Sequence, residues 1–142
     1  MRWLLDTCVI SELVVKEPNQ GVVEWIDSIE PEQVHLTVIT VGEIRKGIEK
    51  FPDSKKRQRL HAWLTEDLLL HFQGRIVPID IDVILAWGTL TGTLEKQGKK
   101  MGAIDALIAA TALSGGFVLV TRNTKDFAYA GIEVLNPWDD LK

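Results

Sequence analysis

One cysteine stands in the 142 residues, so an intramolecular disulfide is excluded and the chain suits a reducing compartment. The three histidines, His35, His61 and His71, lack the paired spacing of a zinc site. No apolar run approaches the roughly 20 residues of a membrane span. Met1-Arg2-Trp3-Leu4-Leu5-Asp6 also lacks the charged-then-apolar layout of a secretion signal, which makes the cytoplasm the expected location. No serine or histidine pair offers a nucleophilic relay. Cys8, in the apolar alternation Cys8-Val9-Ile10 with no histidine beside it, reads as a packing residue. An excess of positive charge is missing too. With a net charge of −4 the molecule as a whole is not an electrostatic nucleic-acid binder.

What is present is a globular composition, 46% hydrophobic and 25% charged, at a length that fits a single domain over residues 1–142. Apolar strands are expected at Trp3-Leu4-Leu5, Val34-His35-Leu36-Thr37, Ile76-Val77-Pro78-Ile79, Phe117-Val118-Leu119-Val120-Thr121 and Ile132-Glu133-Val134-Leu135. The proline demotes the third to an edge or a strand end. Helices are expected between them: one beginning at Ser11, one over 21–28, one capped by Thr40 with Glu43 as its capping-box partner, and a long one following Ser54. Another runs from Asp80 or Asp82 to Leu94, and an alanine-rich one covers 103–113. Strands alternating with helices predict an α/β fold, a central parallel sheet flanked by helices on both faces.

Four separated stretches then place acidic or amide residues where strands hand over to helices. They carry Asp6, Glu43, Asp105, and Asn123 with Asp126. In a parallel sheet, ligands bind outside the carboxyl ends of the strands, so the residues after the first, second and fourth strands share one edge. Asp105 lies near a helix start, where the dipole favours negative charge. Each residue has a local alternative: Asp6 as a helix cap, Glu43 as a capping-box partner, Asp126 as a turn residue. Asp105, between Ile104 and Ala106, has no such local explanation. Carboxylates crowded together repel, and a divalent cation with a taste for hard oxygen, Mg²⁺ or Mn²⁺, holds them ionised. Basic residues gather in three places: Lys46, Lys50, Lys55, Lys56, Arg57 and Arg59; Lys96, Lys99 and Lys100; and Arg122 with Lys125. An acidic cleft with basic margins suits a polyanion.

Leu4-Leu5-Asp6-Thr7-Cys8-Val9-Ile10-Ser11-Glu12, Thr40-Val41-Gly42-Glu43-Ile44, the run from Ala103 to Ala112, and Val120-Thr121-Arg122-Asn123-Thr124-Lys125-Asp126-Phe127 with Leu135-Asn136-Pro137-Trp138 resemble the PIN domain. They are most similar to the toxin nucleases of VapBC and FitAB toxin–antitoxin pairs, and the resemblance covers essentially the whole chain. It implies a Mg²⁺- or Mn²⁺-dependent endoribonuclease that uses metal-activated water and leaves a 5′-phosphate and a 3′-hydroxyl. It also implies a small cognate antitoxin, contact with DNA only through that antitoxin, and a homodimer. By the same resemblance Asp6 and Asp105 are the principal metal ligands and Glu43 completes the cluster. Thr7, Ser11 and Thr121 steady the carboxylates by hydrogen bonds. Relatives often have aspartate where this chain has Asn123, which leaves the fourth corner to Asn123 or Asp126. Arg122 is a candidate contact for a substrate phosphate, with a surface ion pair as its alternative. The competing reading is a catalytically weak binding module that works mainly through an autoregulatory complex. Some of Trp25, Trp63, Trp87 and Trp138 are candidates to line a groove for the antitoxin or the dimer.

Overall fold

Leu4 and Leu5 sit side by side in strand β1 (Trp3–Leu5), and successive strand residues face opposite sides of a sheet. Both are excluded from solvent, and they belong to two different apolar clusters. The computed structural model describes residues 1–139, so the last three residues of the expected domain span lie outside the described residues.

β1 is the middle of a five-stranded parallel sheet ordered β3-β2-β1-β4-β5. The other strands are β2 (Val34–Thr37), β3 (Ile76–Val77), β4 (Val118–Val120) and β5 (Val134–Leu135). Helices α1 (Thr7–Leu13), α2 (Gln20–Asp27) and α3 (Val38–Glu49) pack mainly with Leu5, Leu36 and Val120 on one face. With them lies a helical stretch made of α4 (Lys55–Ala62), a π-helical segment Trp63–Leu68 and α5 (Leu69–His71). Helices α6 (Ile81–Lys96) and α7 (Ala103–Gly115) pack against Leu4 and Leu119 on the other. The expected α/β architecture is therefore the observed one, with Ile76-Val77 at the edge where its proline pointed. Gly116 ends α7 in the left-handed region, φ 66°, which lets the chain turn directly into β4. Among the described residues no helix is long and apolar enough to cross a membrane.

Two helix starts differ from expectation, and both differences move a site residue. α1 begins at Thr7 rather than Ser11, capped by the Asp6 side chain. The β-branched Val9 and Ile10 resemble strand residues locally, but both are buried, so tertiary packing decides their conformation. α3 is capped by Thr37, whose hydroxyl accepts the Thr40 N–H at 3.0 Å, so Thr40 is not the cap. Glu43 thus stands at the sixth helical position, one and a half turns in, and is no capping-box partner. Its carboxylate is free for longer-range contacts.

Thr37 is 1% exposed, so its substitutions separate packing from capping. Thr37→Ser loses only the methyl group, whereas Thr37→Ala loses methyl and cap. The alanine variant should be about 1 kcal/mol less stable than the serine variant in urea unfolding. Equal midpoints would show that the hydroxyl does not hold the start of α3.

Candidate active site

The sheet order makes the site. The chain passes from β1 to β2 and β3 on one side, then returns to place β4 and β5 on the other side of β1. The carboxyl ends of β1 and β4 therefore form the point where the winding reverses, the usual place for a ligand crevice. Asp6 leaves β1 there, its N–H donating to Val120 O at 2.9 Å. Thr121 leaves β4 beside it.

Asp6 is 6% exposed. Its Oδ1 accepts the Thr7 N–H at 2.9 Å, and its Oδ2 accepts the Thr121 hydroxyl at 2.7 Å. Burial still pushes its carboxyl above the ordinary range. The two hydrogen bonds pull in the opposite direction, and the nearby charges of Glu43 and Asp126 push it further up. Thr7 works twice, because its hydroxyl donates to Glu43 Oε1 at 2.6 Å while lying 3.5 Å from the Thr40 hydroxyl. One residue thereby ties the acid after β1 to the acid on α3.

Asp105, in the first turn of α7, is half-buried and makes no side-chain hydrogen bond among the described residues. Its carboxyl is raised as well, first by burial and then by the charges of Asp126, Asp6 and Glu43. Asp6 and Asp105 therefore each feel the charges of Glu43 and Asp126. Asp126 contributes a charge that reaches both Asp6 and Asp105. Asn123 instead contributes its backbone N–H, which donates to the Thr121 hydroxyl oxygen at 3.0 Å, and its carbonyl, which accepts the Asp126 N–H at 3.0 Å. The Asn123 side chain is exposed and hydrogen-bonds to nothing among the described residues.

Ser11 is exposed and, among the described residues, donates to none of these carboxylates. Because α1 starts at Thr7, that threonine occupies the supporting position instead. Cys8, read from sequence as packing alone, lies 3.6 Å from the Thr121 hydroxyl and 4.0 Å from Asp6 Oδ2, and its sulfur accepts the Arg122 N–H at 3.4 Å. Burial pushes the thiol up, so it stays protonated as a weak polar lining. Only its position beside Asp6 signalled this, and the surrounding apolar residues hid the signal. The Arg122 guanidinium lies over the Trp138 ring, 5.3 Å from its centroid, and forms no ion pair among the described residues.

A family model described as the PIN domain matches residues 3–132. The chain belongs to the PIN domain family. It is 39% identical over 136 residues to the VapC ribonuclease Y4jK of Sinorhizobium fredii, covering 96% of this chain and 97% of that protein. It is 41% identical over 137 residues to the toxin FitB of Neisseria gonorrhoeae, covering 96% and 99%. The solved structure of FitAB bound to the IR36 DNA fragment superposes with a TM-score of 0.89 at 40% identity, over 96% of this chain and 95% of that one.

In this PIN domain the donor set is all hard oxygen, which fits Mg²⁺ or Mn²⁺ and not zinc. Among the described residues no three acidic, histidine or cysteine side chains converge as a ready-made cage. Mg²⁺ does not need one, since it binds through one or two carboxylates and keeps several waters. The unpartnered Asp105 carboxylate, set against the anchored Asp6, meets that requirement.

Raised carboxyls in the folded state have a defined sign. Asp6 and Asp105 bind protons more tightly folded than unfolded, so their contribution to stability is fully present below about pH 3.8 and is lost as pH rises through the raised values. Without divalent cation, Asp105→Asn should therefore unfold at a higher temperature than the wild type at pH 7 and close to it at pH 4. Adding Mn²⁺ should raise the wild-type midpoint more than that of the variant. A variant less stable than the wild type at pH 7 in EDTA would contradict the repulsion.

Proposed function

We propose that this chain is a divalent-metal-dependent endoribonuclease, the toxin of a toxin–antitoxin pair. The observation that carries the reading is the half-buried Asp105 carboxylate, without a hydrogen-bond donor among the described residues and within reach of the charges of Asp126, Asp6 and Glu43. Its relatives' names, a VapC ribonuclease and the toxin FitB, support the same assignment.

Asp6 and Asp105 are the groups that would hold Mg²⁺ or Mn²⁺, with Glu43 completing the cluster directly or through water. Bound there, the cation supplies charge to a phosphodiester and acidity to a coordinated water. The chain's own residues do the positioning. The Thr7 N–H and the Thr121 hydroxyl fix both oxygens of Asp6, and the Thr7 hydroxyl fixes one oxygen of Glu43. The second oxygen of Glu43 and the carboxylate of Asp126 are the candidate acceptors for the proton of the attacking water. The neutral Asn123 does not empty the fourth corner, because the charge of Asp126 acts on both Asp6 and Asp105. Arg122, stacked on Trp138, keeps its guanidinium edge available for a phosphate.

The proposed antitoxin has a place to dock. An apolar groove of about 560 Å³ opens on the α1–α2 side, lined among others by Leu13, Val14, Trp63 and Leu70, with Glu66 and Asp67 also on its wall. Val14 and Leu70, both on its lining, are 49% and 66% exposed. Of the tryptophans considered for such a groove, Trp63 lines it. Trp25 and Trp138 are buried, and Trp87 is on α6. α6 also leaves Ile81 and Leu85 exposed, which suits the second copy of a homodimer. By analogy with FitAB, contact with DNA would come through the antitoxin.

RNA incubated with the protein in Mg²⁺ or Mn²⁺ should be cut to 5′-phosphate products, and EDTA should stop the reaction. Asp105→Asn should lower the rate by about a hundredfold or more while leaving the circular dichroism unchanged. Thr121→Val, which removes the donor to Asp6 and the acceptor of the Asn123 N–H, should lower it by about tenfold. Full activity in EDTA, or in Asp105→Asn, would refute the reading. In sedimentation runs the free chain should travel as a dimer, and Leu70→Asp should abolish assembly with the antitoxin without altering RNA cleavage. Unimpaired assembly would move the antitoxin site elsewhere.

A further inference from the structure

The basic residues of α3 divide into two groups according to the side of the helix they occupy. At about 100° per residue, Lys50 lies within about 20° of the Glu43 direction and Lys46 within about 60°, while Arg45 lies about 160° away. Arg45 is ion-paired, its Nε 3.0 Å from Glu49 Oε1, and the same carboxylate receives Arg57 and His61 from α4. Lys46 and Lys50 are exposed and make no ion pair among the described residues. The cation of α3 turned away from the carboxylate crevice is ion-paired. Those on the side of Glu43 are unpaired among the described residues.

Spacing agrees with the charge pattern. Rising about 1.5 Å per residue, Lys46 stands about 4.5 Å and Lys50 about 10.5 Å beyond Glu43 along the helix. Between them is Gly47, within about 40° of the same direction. A glycine in an exposed helix interior costs about 1 kcal/mol relative to alanine. No packing requirement explains it, since a Cβ on Gly47 would meet no atom within 4 Å. The macrodipole favours Lys46 in the last turn and Lys50 at the cap, yet it does not explain why the ion-paired cation, Arg45, falls on the far side.

We propose that α3 is the track along which an RNA backbone leaves the crevice, with Lys46 and Lys50 positioning successive phosphates and the bare backbone at Gly47 letting the strand lie close. The partner class follows from the juxtaposition: a carboxylate site that needs a phosphodiester, continued by unpaired cations in line with it. The track rests on the nuclease reading, and it adds the direction in which the substrate runs. Arg122, from the loop after β4, gives the crevice a cation of its own on the β4 side.

The test uses the full chain carrying Asp105→Asn, so that nothing is cut, and a fluorescent single-stranded RNA oligonucleotide followed by anisotropy between about 50 and 200 mM salt. Adding Lys46→Ala and Lys50→Ala together should weaken binding by about tenfold. The slope of log affinity against log salt should become shallower by about 1.4, two phosphate contacts at about 0.7 each. Arg45→Ala should change neither. Gly47→Leu should make the protein more stable to urea and yet weaken RNA binding, a combination that a purely structural role does not produce. Wild-type affinity and slope in the double lysine variant would overturn the track, as would an equal loss in Arg45→Ala. Lysine variants that bind RNA normally but lose the antitoxin would overturn it in favour of a protein partner. If the native chain cuts no RNA in Mg²⁺ or Mn²⁺ while lysine-dependent binding persists, the nuclease reading fails and the track stands. If it cuts RNA and the lysine variants bind normally, the reverse holds.

Discussion

Like charges held together with few donors govern the rest of this molecule. The charges of Glu43 and Asp126 reach Asp6, and those of Asp126, Asp6 and Glu43 reach Asp105, while among the described residues four hydrogen bonds, one of them a long thiol contact from Cys8, reach their side-chain oxygens. Burial alone would favour protonating Asp6, and only the two donors of Thr7 and Thr121 oppose it. A protein selected purely for stability would not keep such a cluster. Keeping it sacrifices folding free energy at neutral pH, a common exchange at functional sites, and the proposed cation is what would offset it.

The strand order turns that charge problem into a location. Because β1 is flanked by β2 on one side and β4 on the other, the chain must depart in opposite directions from adjacent strand ends. The first residues after those ends are Asp6 and Thr121, hydrogen-bonded to one another across 115 positions of sequence. The apolar clusters on the two faces of the sheet, with Leu5 in one and Leu4 in the other, hold these strand ends in register.

Much of this is legible in the residues. Short apolar runs ending in an acid or a hydroxyl mark the strands and the edge, and Asp105 in its apolar setting has no bland role. What escapes sequence reading is of two kinds. Val9 and Ile10 look extended locally, where burial decides, and two threonines three residues apart, Thr37 and Thr40, compete for one cap, where only the bond from the Thr40 N–H to the Thr37 hydroxyl decides. The Thr7 to Glu43 bond spans 36 positions and has no local signature at all. The resemblance implies Ser11 beside Thr7 and Thr121 as a support, but with α1 beginning at Thr7 the Ser11 side chain is exposed and, among the described residues, reaches none of the carboxylates. The π-helical segment at Trp63–Leu68 is invisible because the spacing of Leu60, Leu64, Leu68 and Phe72 already satisfies an ordinary helix.

The hold on the carboxylates is graded. Asp6 has a donor on each oxygen, Glu43 has one donor, and Asp105 has none among the described residues. One wall of the crevice is thus a fixed template and the opposite wall is a hand free to close. In the proposed metal-dependent reading, the position of Asp6, set by the β1–β4 pairing, would fix where a cation sits, and Asp105 would adjust to it. Discrimination by size would then belong to the fixed wall, and tolerance between ions as close in radius as Mg²⁺ and Mn²⁺ to the yielding one.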